Sequence, residues 1–343
     1  MLIYITLRFN LNIIGMIMRK LVLPLILFIG FAYGKNSSEK PFIEEHIYHK
    51  HRIDFVNASV FQQTDGYGAF YNTTHIFMYL DLSKTEQIFI NNSITLGNGL
   101  NNRFSSKGFT FLPSGDDLQD MTEDINDTGR KYILELWYKK KFEDSVFVAG
   151  LIDSASFIDE NNVANDEHTQ FLNSALINNP VAPIHSYNPG FYIKHDLKGM
   201  VFKTVFIKNT PEKGNTGFLQ LNISKENLNV RPYYYHTFSD YENKGFGLSS
   251  DIGLGRSALF FRGSKRSGGK DLFLSAGFQI EDIFRNDRIA FGTGFIKEEI
   301  KKYVYEIYYL YRINSYISFT LDFQQIKERS SENIFGTRLY ISY

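Results

Sequence analysis

The sequence contains no cysteine and only one tryptophan among its 343 residues. Without cysteine, neither a disulfide framework nor a thiolate metal site is available. The 37 basic and 37 acidic side chains give a formal net charge of zero, so the chain has no basic footprint for nucleic acid and no acidic tail. After the N-terminal region, no apolar run approaches the about 18 residues that a membrane-spanning helix needs. A nucleic-acid-binding protein and a helical membrane domain are therefore both disfavoured.

The N-terminus has the pattern of a secretory signal. Arg19 and Lys20 follow Met18 and precede a short apolar run that ends at a small-residue cleavage motif. We therefore predict a signal peptide over 1–34, with Met18 as the expected start, and a single mature domain over 35–343. The alternative is a single N-terminal anchor helix.

From Arg52 onward, apolar and polar residues alternate repeatedly with a period of two, which is typical of strands with one apolar face. The runs are roughly 9–11 residues long, the length that a tilted strand needs to cross a bilayer. The last run ends at Tyr343, an aromatic residue, as the closing strand of an outer-membrane barrel does. We predict an all-β fold, a transmembrane antiparallel β-barrel of about 16 strands with inward-folding or capping loops. Fourteen or eighteen strands, or a soluble β protein, are the alternatives.

Two polar segments interrupt this alternation, at 98–127 and at 150–180. The second is rich in Asp and Asn but also carries spaced apolar residues such as Phe157, Phe171 and Leu176. A long segment with apolar anchors is expected to fold against something and not to remain a free tail. We predict that it folds into or over the mouth of a pore.

The same segment resembles the carbohydrate-selective porins of the OprB type. The resemblance rests on Gly150-Leu151-Ile152-Asp153, then Phe157, Asn165-Asp166-Glu167 and Gln170-Phe171-Leu172-Asn173, and it extends to the closing strands. It implies a barrel in the bacterial outer membrane that passes glucose-like sugars by facilitated diffusion, with no chemistry on the solute and no cofactor. The implied partners are outer-membrane lipid and small neutral sugars, and assembly into homotrimers is left open.

A sugar-selective pore needs aromatic faces for the pyranose ring and charged or amide groups for its hydroxyls, and its binding must stay weak. Trp137 is the predicted stacking residue, because alternation places it on the polar, inward face; a girdle position at the membrane interface is the alternative. The other predicted pore-lining residues are charged or amide side chains, either on inward faces or in the central segment. They are Asp159, Asn165, Asp166, Glu167, Gln170, Arg231, Arg256, Arg262, Glu306, Arg312, Asp322 and Arg338. For each, the alternative is a solvated wall residue or a turn-forming side chain.

Other functions have weaker support in the sequence. Ser154, His168 and Asp159 could be drawn as a catalytic triad, but no nucleophile elbow accompanies them. The histidines near the mature N-terminus, at 46, 49 and 51, lack a further ligand, so no metal site is predicted. The alternatives to a sugar channel are a general, non-selective porin and an outer-membrane barrel enzyme or adhesin.

Overall fold

The computed structural model of the chain describes residues 51–239, 243–269, 271–298 and 300–343. The predicted signal peptide and its start at Met18 lie outside the described residues, as do His46 and His49. The boundary of the mature domain at residue 35 also lies outside them and stays a prediction.

The described part of the chain contains sixteen strands, and each strand is antiparallel to both of its neighbours in the sheet. The first strand pairs with the last, with Val56 opposite Ser342 and Ala58 opposite Tyr340, and this pairing closes the sheet into a barrel. Closure leaves no sheet edge with unpaired backbone groups. The strands are β1 Arg52–Thr64, β2 Tyr67–Asp81, β3 Glu86–Leu96, β4 Ile133–Lys141, β5 Ser145–Ile152, β6 Asn188–Leu197, β7 Met200–Lys208, β8 Asn215–Lys225, β9 Leu228–Phe238, β10 Asn243–Leu254, β11 Ser257–Arg266, β12 Leu272–Glu281, β13 Asp287–Lys297, β14 Lys301–Arg312, β15 Ile317–Lys327 and β16 Ser331–Ser342.

The outer face of the barrel is apolar, because large hydrophobic side chains occupy the outward positions of the strands. Phe246 and Phe335 are each 63% exposed and Leu321 is 50% exposed, whereas the neighbouring Thr320 and Asp322 point inward and are buried. An apolar belt on a closed barrel suits contact with lipid, since every backbone group is already paired within the sheet. The predicted all-β fold, an antiparallel barrel of about sixteen strands, is confirmed.

Two long connections leave the barrel at the end opposite to the start of β1. The first long loop (97–132) joins β3 to β4, and the second long loop (153–187) joins β5 to β6, whereas the other connections have six residues or fewer. The helices belong to these loops: α1 Asn101–Ser106, α2 Gln119–Glu123 and α3 Ser174–Ile177, with 3-10 turns at Ile125–Asp127 and Ser154–Ser156. In the described part of the chain, no helix combines the length and apolar character required to cross a bilayer.

Both long loops fold inward and pack against the inner wall. Phe104 and Phe111 of the first loop and Phe171 of the second join one apolar cluster with inward-facing wall residues. The wall contributes Phe260, Phe273, Ala290, Ile296, Val304, Tyr308, Leu310, Ile326 and Ile334 to this cluster. The inward faces of β11 to β16 are therefore partly apolar, whereas the sequence predicted a polar lumen. The reason is that these side chains face the loops and not water, so their burial is favourable.

Candidate functional site

Arg262 on β11 is the centre of the contacts that hold the second long loop against the wall. Its side chain is fully buried, and its Nε lies 2.8 Å from Oδ2 of Asp159. Its guanidinium also donates to the carbonyl oxygens of Ala164 at 2.9 Å and of Leu176 at 2.8 Å. A planar guanidinium with five donors can satisfy several buried acceptors at once, so one side chain fixes three points of the loop.

Glu306 and Arg338 fix the middle of the same loop from β14 and β16. The Glu306 carboxylate accepts from the backbone N–H of Leu172 at 2.6 Å and of Asn173 at 2.9 Å, just before α3. Arg338 is fully buried and donates to the carbonyl oxygens of Glu167 at 2.6 Å and Gln170 at 2.8 Å. Charged groups on the wall thus satisfy backbone groups that would otherwise be buried without partners.

Most of the predicted pore-lining charges on the wall are therefore covered by the loop and do not face an open pore. Asp322 is 6% exposed and accepts from Gln324 Nε2 at 3.0 Å, and Gln324 in turn accepts from Asn173. Arg231 is 7% exposed and pairs with Asp251 at 2.5 Å. The inward direction predicted for these side chains agrees with the structure, but their described contacts are those of anchoring residues.

Two predicted residues lie away from the long loops' anchoring points. Arg256 falls in the exposed turn between Leu254, which ends β10, and Ser257, which begins β11, so it is not on an inward strand face. Arg312 ends β14 and pairs with Glu281 at 2.8 Å, at the barrel end opposite to the long loops. The prediction that Arg256 lies on an inward strand face is therefore wrong, because β10 ends before this residue and β11 begins after it.

Within the second long loop, the predicted constriction residues mainly stabilise turns. Asp166 accepts from the backbone N–H of His168 at 2.8 Å and from the hydroxyl of Thr169. Gln170 Oε1 accepts from the backbone N–H of Asn165 at 2.6 Å and of Asp166 at 3.0 Å. Such local bonds are typical of Asx turns, so these residues shape the loop. Asn165, Asp166 and Glu167 also line the cavity described next.

An open cavity of about 260 Å³ remains beside the loops, on the side of the barrel formed by β2 to β4. Its wall includes His75, Asn91 and Glu135. The loops contribute further acidic side chains to it, namely Asp117, Asp153, Asp166 and Glu167, together with His168. The sequence analysis did not single out His75, Asn91 or Asp117, and it named Asp153 only as part of the resemblance and not as a pore-lining residue. For Asp117, the only sequence signal was its place in a segment that interrupts the strand pattern.

The loop carboxyl groups of this cavity differ in the direction in which their pKa values are shifted. Burial raises the pKa of Asp117 well above its usual range and also raises the pKa of Asp153. Although burial opposes ionisation of Asp166, hydrogen bonds and the charge of His168 hold its pKa well below the usual range. The cavity therefore combines carboxyl groups whose ionisation is opposed by burial with one whose ionisation is favoured by its neighbours.

Trp137 faces inward on β4, as alternation predicted, but does not itself line the cavity. Its indole Nε1 donates to Oε2 of Glu135 at 3.1 Å, and its ring stacks on Phe89 with 4.6 Å between ring centroids. Trp137 therefore lies directly behind a cavity carboxylate and orients it. Its proposed contact with a sugar ring stays a prediction.

The three residues of the candidate triad have separate partners. Ser154 donates its hydroxyl hydrogen to the carbonyl oxygen of His185, and Asp159 pairs with Arg262. His168 lies 3.7 Å from Asp116 and 3.5 Å from Asp166. The structure therefore does not bring Ser154, His168 and Asp159 together as a hydrogen-bonded triad.

Comparisons with known proteins agree on the fold. The barrel superposes on OprB of Pseudomonas putida with a TM-score of 0.70 and 12% identity, covering 86% of this chain and 94% of that one. OmpT of Vibrio cholerae, an outer membrane protein solved with loop L8 deleted, gives a TM-score of 0.56 at 8% identity, covering 86% and 99% of the two chains. A mutant porin of Rh. blastica gives 0.55 at 6% identity, covering 86% and 100%. The OprB-type fold predicted from the sequence is thereby confirmed.

One sequence relative covers almost the whole chain. It is an uncharacterized protein of Aquifex aeolicus that is 36% identical over 305 residues, which are 88% of this chain and 97% of the relative. No family model matches the sequence. The chain therefore belongs to the same family as this Aquifex aeolicus protein, and its fold is that of the porins.

Proposed function

We propose that the protein is an outer-membrane channel through which small neutral, hydroxyl-rich solutes such as sugars diffuse into the periplasm. The observation that carries the proposal is the cavity beside the two long loops, which is lined by carboxyl, amide and imidazole groups. A sugar hydroxyl both donates and accepts a hydrogen bond, so such a lining matches it at several positions. The porin fold supports a role in passive passage, and OprB is among the structures that it resembles.

The size of the cavity supports a small solute. At about 260 Å³ it lies just below the roughly 300–1,000 Å³ that is typical of small-molecule pockets. A monosaccharide fits such a space better than an oligosaccharide does. On the side of β11 to β16, the loops pack against the wall through the apolar cluster.

Liposomes that contain the refolded protein are expected to swell faster in glucose than in a neutral non-sugar or an anionic solute of similar size. Replacing Trp137 with alanine is expected to weaken sugar block of the ion current by about 2- to 10-fold, because an aromatic contact contributes about 0.5–1.5 kcal/mol. Trp137→Phe keeps the ring and is expected to behave like the wild type.

Three results would change this proposal. Equal loss in Trp137→Phe and Trp137→Ala would mean that the indole acts only by orienting Glu135 through their 3.1 Å hydrogen bond. Equal swelling in all solutes would leave a general porin. Absence of swelling in every solute would remove the channel function.

A general diffusion porin with a preference for cations is the second candidate, and it rests on the excess of acidic side chains at the cavity. A carboxylate-lined passage concentrates cations and repels anions. In a salt gradient, the reversal potential is expected to indicate cation preference, and Asp166→Asn is expected to reduce it. Glu143→Gln, in the exposed turn after β4, is the control and is expected to leave the potential unchanged. Anion preference in the wild type would contradict this candidate.

A further inference from the structure

Two histidines and an aspartate from three separate elements meet beside the cavity. His75 lies on β2, Asp116 in the first long loop and His168 in the second. One ligand atom of each lies within 4.8 Å of the other two, and His168 Nε2 is 3.7 Å from Asp116 Oδ1. The imidazole rings of His75 and His168 are edge to face with 5.0 Å between their centroids. His75 and His168 also line the cavity, but the atoms of this cluster that face one another take no part in the loop-anchoring contacts described above.

The atoms that face one another in the cluster lack hydrogen bonds. His75 Nε2, His168 Nε2 and both carboxylate oxygens of Asp116 are buried, with no hydrogen-bond partner among the residues that the structure describes. His75 is 3% exposed and Asp116 is 7% exposed. Buried polar groups are nearly always satisfied, and leaving one without a partner costs about 1–3 kcal/mol. Four such atoms, from three residues that bring one ligand atom each to within 4.8 Å of the others, indicate that something else binds there.

The other ring nitrogen of each histidine has an oxygen neighbour. His75 Nδ1 lies 3.2 Å from Oδ1 of Asn91, and His168 Nδ1 lies 3.5 Å from Oδ1 of Asp166. When Nδ1 carries the proton and donates it to such an oxygen, Nε2 presents its lone pair and the ring is held in one orientation. Metal-binding histidines have this arrangement of outer oxygen partners.

We propose that His75, Asp116 and His168 bind one divalent transition-metal ion, with Zn²⁺ as the reference ion, through the two Nε2 atoms and the carboxylate. Imidazole nitrogen with one carboxylate is a ligand set for zinc and similar ions, whereas Mg²⁺ and Ca²⁺ prefer oxygen alone. Ligands at about 2.1 Å from a tetrahedral ion are about 3.4 Å apart, so binding needs side-chain movements that shorten the separations of up to 4.8 Å by as much as about 1.4 Å. A water molecule would complete the coordination. The ion would connect both long loops to the wall.

The competing explanation needs no metal. A protonated His168 would form an ion pair with Asp116 across the 3.7 Å that separates their atoms. That ion pair would give one carboxylate oxygen of Asp116 a partner, but it would leave His75 Nε2 without one. Zn²⁺ binding and its dependence on His75 distinguish the two.

The test is calorimetric titration of ZnCl₂ into the folded full chain in detergent, without an affinity tag and after removal of metal by a chelator. One Zn²⁺ per chain is expected to bind, and MgCl₂ is expected to give no comparable heat. His75→Gln and Asp116→Asn are each expected to weaken the site by at least about 10-fold, since loss of even an outer partner typically costs 10- to 100-fold. Heat-modifiable gel mobility reports whether each variant has folded.

His195→Gln is the matched control, because His195 lies on β6 and its Nδ1 is 2.9 Å from the hydroxyl of Ser145, in an exposed pair. It is expected to bind Zn²⁺ like the wild type. Asn91→Ala keeps all three ligands and is expected to weaken binding, so it tests the site even if a ligand variant fails to fold. Lack of a stoichiometric Zn²⁺ site would overturn the proposal, as would equal affinity in the wild type, His75→Gln and Asn91→Ala.

Discussion

Replacing Arg262 with alanine is expected to release the second long loop from the wall and to raise the single-channel conductance several-fold. Arg262 is fully buried, pairs with Asp159 at 2.8 Å and donates to three backbone carbonyls. Its removal leaves the Asp159 carboxylate buried without its counter-charge, which typically costs about 3–5 kcal/mol. Because the barrel ladder does not depend on this side chain, the cost falls on the docking of the loop. Planar-bilayer recording measures the effect.

The control for this prediction is Arg256→Ala, which removes the same charge from an exposed turn and is expected to leave the conductance unchanged. A double variant with Asp159→Asn is expected to recover part of the loop docking, because it also removes the unpaired charge. Wild-type conductance in Arg262→Ala, in a variant that forms a folded barrel, would show that the loop does not obstruct the lumen.

Replacing Phe171 with alanine is expected to destabilise the docked loop by about 3–5 kcal/mol, the usual cost of removing a buried phenyl ring. Phe171 is fully buried. The centroid of its ring lies 5.1 Å from the ring centroid of Tyr308 and 5.6 Å from that of Phe260. Amide hydrogen exchange in α3 is expected to become roughly 100-fold faster or more, since 1.4 kcal/mol corresponds to a factor of ten. Mass spectrometry of the peptides around Ser174–Ile177 measures it.

Phe335→Ala removes the same ring from the outer face, where Phe335 is 63% exposed, and is expected to leave exchange in α3 unchanged. Phe171→Leu keeps most of the apolar volume and is expected to have an intermediate effect. Unchanged exchange in Phe171→Ala would mean that polar anchors alone hold the loop.

The alternation of residues predicted the strands, and the length of the runs together with the aromatic residue at the end of the last one favoured a barrel. Phe319, Leu321 and Phe323 alternate with Thr320 and Asp322 along β15, and a period of two has only one structural meaning in a run of that length. The same pattern cannot tell what covers the inner face. Phe273 and Ile296 also point inward, and only contacts with distant loop residues explain why apolar groups lie there.

The roles of the inward charges could not be predicted for a related reason. The direction of Glu306 and Arg338 followed from the high cost of a charge in lipid. Their partners are backbone groups of the second long loop, more than a hundred residues away in sequence. A sequence pattern contains information only about residues that are close along the chain. It therefore predicted that these side chains line the pore, whereas in the structure they are buried and anchor the loop. The cluster of His75, Asp116 and His168 is hidden from sequence analysis for the same reason, because it is assembled from three distant stretches.

The contact between Arg338 and the second long loop has a consequence for the order of assembly. The loop precedes β6, whereas Arg338 belongs to β16, the last strand of the barrel. The loop therefore cannot complete its docking until the final strand has been added, and closure of the ring and filling of its interior become coupled events. Contacts between such distant parts of a chain form slowly, because the intervening chain must first be ordered. In refolding experiments, acquisition of the native pore is expected to lag behind the formation of β structure.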